Sequence, residues 1–179
     1  VGMIHPSIIP DPSKRLPAQY TRVSVEDPRM EISGARSIVE TLRGQENAFQ
    51  VASRVKASGY EGCWVLALGT TDTANIAAGS GPGRAWRIDR MMSVIGDDPV
   101  LWVNVRSLVS EGPWSSSAMQ LWNNALAETT PKYPNIVVYD WASVVQRSWF
   151  SGDGIHYTPE GYRIRAALIA DALAAAFPA

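Results

Sequence analysis

The chain has 179 residues, of which 46% are apolar and 18% charged, a composition that suits one packed domain and excludes a disordered chain. Lys and Arg number 16 against 17 Asp and Glu, so the formal charge of −1 excludes a nucleic-acid binder that works by overall positive charge. No apolar run approaches the roughly 18 residues that cross a bilayer, so direct membrane insertion is not expected.

The chain opens at Val1 with no signal peptide, and reads as a processed piece with something expected before it. Residues 5–17 hold four prolines, which predicts an extended surface loop, because proline lacks an N–H and fixes φ. Residues 1–27 are therefore expected to form an extended N-terminal region, and 28–179 an α/β core, of one domain. Residues 29–33 end at Gly34 and predict a strand. Residues 45–58 place Ala48, Val51, Ala52 and Val55 on one helical face, with Gly59 as the stop. Cys63 to Leu68 is continuously apolar, as in a strand buried on both faces.

Residues 84–95 predict an amphipathic helix, with Arg84, Arg87 and Arg90 on a solvated basic face. Val100 to Val105 predicts another buried strand. Residues 115–129 predict a helix with Met119, Trp122 and Leu126 in one stripe, and Ile136 to Tyr139 a further strand. The last helix opens at Thr158, a good N-cap, with Pro159 at the first helical position and Glu160 at the positive end of the dipole. Tyr162, Ala166, Ile169, Leu173 and Phe177 form its apolar stripe, with Arg163 and Arg165 outside it. Seven tryptophans are present; Trp64, Trp102 and Trp141 read as core or cleft wall.

Strands alternating with helices, and apolar on both faces, imply a parallel sheet covered on both sides. In such sheets the ligand site lies at the carboxyl ends of the strands. The segments to inspect are 34–36, 69–75, 106–107 and 140–141.

Only two histidines are present, His5 and His156. Together with the single cysteine, Cys63, they form no metal-ligand spacing, so neither a metal site nor a disulfide is expected. The stretch Gly79-Ser-Gly-Pro-Gly83 lacks the dinucleotide-binding spacing, and no cofactor is expected. Asp153 and His156 stand three residues apart in a glycine-containing loop ahead of a capped helix. Such a loop can fold the carboxylate onto Nδ1–H and leave Nε2 to take a proton from a nucleophile. A purely structural role at the helix opening is the alternative.

Asp153-Gly-Ile-His-Tyr-Thr-Pro-Glu-Gly-Tyr162, followed by an alanine-rich amphipathic helix, resembles the last conserved block of the SGNH (GDSL-type) hydrolases. The resemblance implies a three-layer α/β/α sandwich with a flavodoxin-like parallel sheet, and ester hydrolysis or acyl transfer. It implies that His156 is the general base and Asp153 its orienting acid, rather than Asp140. It further implies an oxyanion hole from the Gly34 N–H and from a side chain in Gly69-Thr-Thr-Asp72. The family reads Gly-x-Asn-Asp there, so Thr71 stands in for the asparagine, with Asn75 as a substitute donor. Arg36, beside Gly34, is a candidate contact for an anionic substrate, or else a surface ion pair.

The family's Gly-Asp-Ser nucleophile block does not occur in the sequence. Val1-Gly-Met-Ile resembles the segment that follows that serine. The expectation is that the first strand and the serine lie upstream of Val1, or on a separate N-terminal peptide that completes the sheet. The substrate class implied is an acyl-ester small molecule or glycan. Similar domains occur alone as esterases and as outer appendages of bacterial membrane acyltransferases, which implies an extracytoplasmic or cell-envelope setting. A non-catalytic carbohydrate-binding module of the same fold is the alternative in another class. A flavodoxin-like signalling domain would instead have Asp153 turned away from His156.

Overall fold

The computed structural model describes residues 2–5, 12–42 and 44–178. In chain order the elements are β1 (Gly2–His5), α1 (Pro12–Arg22), β2 (Arg29–Ile32), α2 (Ala48–Ala57), β3 (Trp64–Leu66) and α3 (Thr70–Ala77). They continue with α4 (Arg84–Ile95), β4 (Val100–Val103), α5 (Ser116–Thr129), β5 (Ile136–Tyr139), α6 (Trp141–Val144) and α7 (Pro159–Ala176). The five strands pair in the order β2-β1-β3-β4-β5, and every pair is parallel.

The apolar strands divide their side chains between two cores, as a period of two requires. Trp64, Leu66, Val100 and Trp102 face one way and pack with α2, α4 and α5. Val65, Leu101 and Val103 face the other way and pack with Tyr20 of α1 and with Ala166, Ile169 and Leu173 of α7. The result is the expected three-layer α/β/α sandwich.

Two N-terminal expectations are corrected. The first strand is not missing from this chain: Gly2–His5 fills the slot between β2 and β3, with His5 opposite Ile32 and Ile4 opposite Leu66. The physical reason is backbone pairing. An empty slot would leave facing rows of buried N–H and C=O groups unmet, at about 1–3 kcal/mol each, and the apolar tetrapeptide satisfies them. No separate peptide is needed to complete the sheet.

The second correction is that residues 12–22 form a helix rather than a loop. Pro12 stands at the first helical position, where no N–H is required. Pro17 lies inside the helix and forfeits one intrahelical bond. Against that loss, Tyr20 is fully buried and Arg22 pairs with Asp171 of α7 at 2.6 Å. Tertiary packing outweighs local propensity here. The extended N-terminal region expected over 1–27 therefore contains a strand and a helix of the core.

Helix α4 spans the expected residues, but its basic face is not uniformly solvated. Arg87 is fully buried. Its guanidinium bonds Asp72 Oδ1 at 2.8 Å and the Pro82 carbonyl at 2.9 Å, and pairs with Glu40 through both terminal nitrogens. Asp72 Oδ1 also accepts from the Ile38 N–H at 2.9 Å and from Ser37 Oγ at 3.0 Å. This cluster ties the loop after β2 to α3 and α4, so it fixes one wall of the strand-end cleft. Burial pushes the Glu40 carboxyl up, but hydrogen bonds from Arg87, Ser37, Ser80 and Asn75 outweigh it and hold it well below the usual range.

Removing one partner of a buried pair strands the other, at about 3–5 kcal/mol. Arg87→Ala is expected to lose that much unfolding free energy in urea titrations at pH 7. Because the folded pKa of Glu40 is depressed, its contribution is present above about pH 4.3, the unfolded value, and fades as pH falls further. Glu40→Gln should therefore show a shallower loss of stability between about pH 4.3 and 2.5 than the parent chain.

Candidate active site

The cleft lies at the carboxyl ends of the strands, where the fold class puts ligand sites. A cavity of about 350 Å³ opens there. Its walls come from the loops after four strands: Ala35 after β2, Thr70 and Thr71 after β3, Arg106 after β4 and Trp141 after β5. The loop ahead of α7 contributes His156. The walls are largely apolar, with Trp114, Trp141 and Val105 among them.

His156 and Asp153 meet as the sequence predicts. Asp153 Oδ2 lies 2.6 Å from His156 Nδ1. The other carboxylate oxygen accepts from the Ile155 N–H and the His156 N–H, each at 2.9 Å, and from Ser151 Oγ at 2.8 Å. Burial raises the pKa of this carboxyl, but these donors, led by the His156 ring, outweigh it and hold it well below the usual range. With an ionised acceptor on Nδ1, that nitrogen carries the proton, and a neutral ring then presents the lone pair of Nε2. Both side chains are about half exposed, so Nε2 stays within reach of an incoming group.

Local chemistry explains why the loop folds this way. Ser151 N–H donates to the His156 carbonyl at 2.8 Å and closes the turn. Gly154 takes φ +68°, a conformation that favours glycine, and its carbonyl accepts from the Leu108 N–H at 2.8 Å. Thr158 caps α7 by accepting from the Gly161 N–H at 3.0 Å. A side chain at Gly161 would collide with the Trp149 carbonyl, so that position admits only glycine. Behind the loop, Trp149 stacks on Trp141, and the Trp141 Nε1–H donates to the Tyr157 hydroxyl at 2.7 Å.

The other expected site residues divide. Thr71 is buried in the first turn of α3 and lines the cavity. The helix N-cap is Gly69, so Thr71 is free of the capping role. Gly34 lies in the turn after β2, and the wall is formed by its neighbour Ala35, at φ +52°. Asn75 is engaged with Glu40, away from the cavity wall, which leaves Thr71 as the side-chain candidate. Arg36 is buried and donates to the Glu31 carbonyl at 2.7 Å; it is neither a surface ion pair nor part of the wall. The side chain of His5 lies outside the described residues.

Asn104 and Arg165 escaped sequence reasoning, whereas Arg106 lies in one of the expected strand-end segments. Asn104, after β4, donates to Asp140 Oδ1 at 2.7 Å and accepts from the Ala142 N–H at 2.8 Å, clamping the ends of β4 and β5. A lone Asn after a strand carries no signal by itself. Arg165 was expected outside the stripe of α7, yet it is buried and lies over the Trp141 and Tyr157 rings. Arg106 is exposed at the cavity's rim. Among the described residues no His, Cys, Asp and Glu cluster with metal-binding geometry occurs.

Solved structures with the same architecture are esterases and acylhydrolases. The M. smegmatis aryl esterase, in an inhibitor-bound form, superposes with a TM-score of 0.70 at 14% identity, over 98% of this chain and 99% of that one. Est24, a carbohydrate acetylesterase from Sinorhizobium meliloti, gives 0.68 at 15% identity, over 98% and 99%. A lipase/acylhydrolase from Enterococcus faecalis gives 0.67 at 14% identity, over 96% and 94%. The chain has the SGNH-hydrolase fold. No protein-family model matches the chain, and no curated protein matches it at a significant level.

Gly69 links the fold to the site. It takes φ +127° at the start of α3, and a Cβ there would run into the Trp122 indole. Gly69→Ala is therefore expected to destabilise the chain by about 3 kcal/mol or more, from strain plus overpacking. Thermal unfolding, with near-ultraviolet circular dichroism of the tryptophans, measures it; an unchanged midpoint would show that the indole moves aside freely.

Proposed function

We propose that this chain carries the acid–base pair of a serine esterase acting on acyl esters. The observation that carries the reading is the Asp153–His156 pair, bonded at 2.6 Å on the rim of an apolar strand-end cavity. A serine Oγ attacks the ester carbonyl carbon, and its proton passes to His156 Nε2. The tetrahedral oxyanion collapses, the C–O bond to the alcohol breaks, and the alcohol leaves with the proton from Nε2. Water repeats the sequence on the acyl-serine and releases the acid. Asp153 holds the ring and balances its charge while the proton is on it. Oxyanion donors are proposed to be the Thr71 hydroxyl and a backbone N–H of the Gly34 turn.

None of the described cavity-wall residues is a serine. Two placements of the serine answer the need. Ser7 follows the end of β1 by two residues in the sequence and lies outside the described residues. The end of β1 stands between β2 and β3, whose following loops supply Ala35 and Thr70 to the cavity, and this favours Ser7. A serine preceding Val1 is the second reading, supported by the likeness of Val1–Ile4 to the segment after the family's nucleophile. It requires an upstream strand to take the slot from Gly2–His5, since a residue before β1 stands at the sheet's amino edge.

Transfer to a sugar hydroxyl instead of water uses the same steps. The carbohydrate acetylesterase among the structural neighbours supports a sugar ester as substrate, and an extracytoplasmic place at the cell envelope follows as part of the proposal. The non-catalytic binding module remains the reading to beat. The signalling-domain alternative required Asp153 to point away from His156, which it does not.

Hydrolysis of 4-nitrophenyl acetate by the chain, alone and extended by any upstream segment that its gene encodes before Val1, tests this. His156→Ala is expected to lower kcat by at least about 10³-fold, and Asp153→Asn by a similar order with the fold retained. Loss of activity in Ser7→Ala identifies Ser7. Activity that appears only with the upstream segment and survives Ser7→Ala identifies the earlier serine. No turnover in either form favours the binding module.

The pH–rate profile gives a further check. Asp153 is held ionised well below the usual carboxylate range, so the profile above about pH 4, the ordinary carboxylate region, should carry no ionisation of this carboxyl. An ionisation in that window that is lost in Asp153→Asn would contradict the arrangement.

A further inference from the structure

The cavity does not end at Arg106. A second hollow, of about 520 Å³, shares Asn104 and Arg106 with it and runs over the ends of β4 and β5 toward α5. The two shared residues differ in what they have left to offer. The Asn104 amide is consumed at both ends, by Asp140 and by the Ala142 N–H. Arg106 is exposed, and its guanidinium makes no hydrogen bond or ion pair with any described residue. Arg22, Arg54 and Arg163, also exposed, each hold a carboxylate, Arg90 lies over the Phe49 ring, and Arg147 is, like Arg106, exposed without a described carboxylate partner but stands outside this cavity.

The charge around the cavity is one-sided. Its described walls carry the guanidinium groups of Arg106 and Arg165 and no carboxylate. Two acids bonded to wall residues are engaged, Asp153 with the His156 ring and Asp140 with Asn104. Asp140 lines the second hollow, so an anion is repelled there and favoured on the cavity side of Arg106. A guanidinium presents a fork of donors that matches a carboxylate or phosphate in two parallel hydrogen bonds.

We infer that Arg106 is a specificity residue that selects an ester carrying an anionic group, with that group bound at the rim between the two hollows. The inference rests on the esterase reading of the same cavity. The anion can belong to the acyl part or to the alcohol part, and Arg106 at the junction reaches either.

Two matched pairs of substrates separate these sources. For the acyl part they are mono(4-nitrophenyl) adipate and 4-nitrophenyl hexanoate; for the alcohol part, 4-acetoxybenzoate and its methyl ester. The expected result is a kcat/KM about ten-fold higher for the anionic member of at least one pair, the order that one charge-assisted hydrogen bond at an exposed site supplies. Arg106→Gln should abolish that preference, lowering kcat/KM of the anionic member about ten-fold relative to its neutral partner. Arg106→Lys should restore part of it, and added salt should shrink it. Calorimetric binding of 4-acetoxybenzoate and mono(4-nitrophenyl) adipate to the His156→Ala chain, with and without Arg106→Gln, reads recognition apart from turnover.

Equal rates within both pairs, or a preference that persists in Arg106→Gln, overturns the inference while leaving the esterase reading intact. Arg106-dependent binding of either anion without turnover of any ester overturns the esterase reading and supports anion recognition. Absence of both binding and turnover overturns the two together.

Discussion

A carboxylate and an imidazole held 2.6 Å apart, at the opening of the last helix, are the contact on which the functional reading depends. The loop spends nearly every polar group it has to keep them there. One oxygen of Asp153 takes three donors from the loop itself, and the other is left for the ring. A carboxylate so supplied stays ionised, and an ionised carboxylate fixes which ring nitrogen carries the proton. The chemistry of Nε2 is thus decided by backbone N–H groups on the far side of Asp153.

That pair is useful only because the sheet brings other loops to it. In a parallel sheet all carboxyl ends face one way, so residues far apart in sequence, such as Ala35, Thr71, Arg106 and His156, border one cavity. The buried Asp72–Arg87–Glu40 cluster does for the opposite wall what the Asp153 loop does for the base. It pins the turn after β2 against α3, where the proposed oxyanion donors lie. Burying Asp72 and Arg87 beside a half-buried Glu40 is expensive, and the cost is offset because the hydrogen bonds of Arg87 are shared among acids, a serine and a carbonyl.

The central slot of the sheet is the place where backbone demand overrides sequence pattern. Four residues at the start of the chain meet the ladders of β2 and β3. Nothing in Gly2–His5 taken alone marks a strand, because the segment is short and runs into prolines. Pairing on both sides supplies the stabilisation that local propensity does not. Similarly, Pro12 and Pro17 argue against a helix until Tyr20 is seen buried beneath it.

What the sequence determined by itself was whatever rests on local rules. Strand runs apolar on both faces, the period of α5 and α7, the Thr158 cap and the Asp153–His156 spacing all act within a few residues, and the structure forms each of them, with β3 and β4 shorter than the apolar runs Cys63–Leu68 and Val100–Val105. What only the tertiary structure decided was the fate of long polar side chains and of elements stabilised from outside. Arg87 and Arg165 have the same local signature as Arg90 and Arg163, yet the first two are buried and the last two exposed. The difference lies in partners from distant segments, Asp72 and Glu40 for one, Trp141 and Tyr157 for the other. An arginine's burial is set by whether another part of the chain arrives to meet its charge, and no local pattern encodes that arrival.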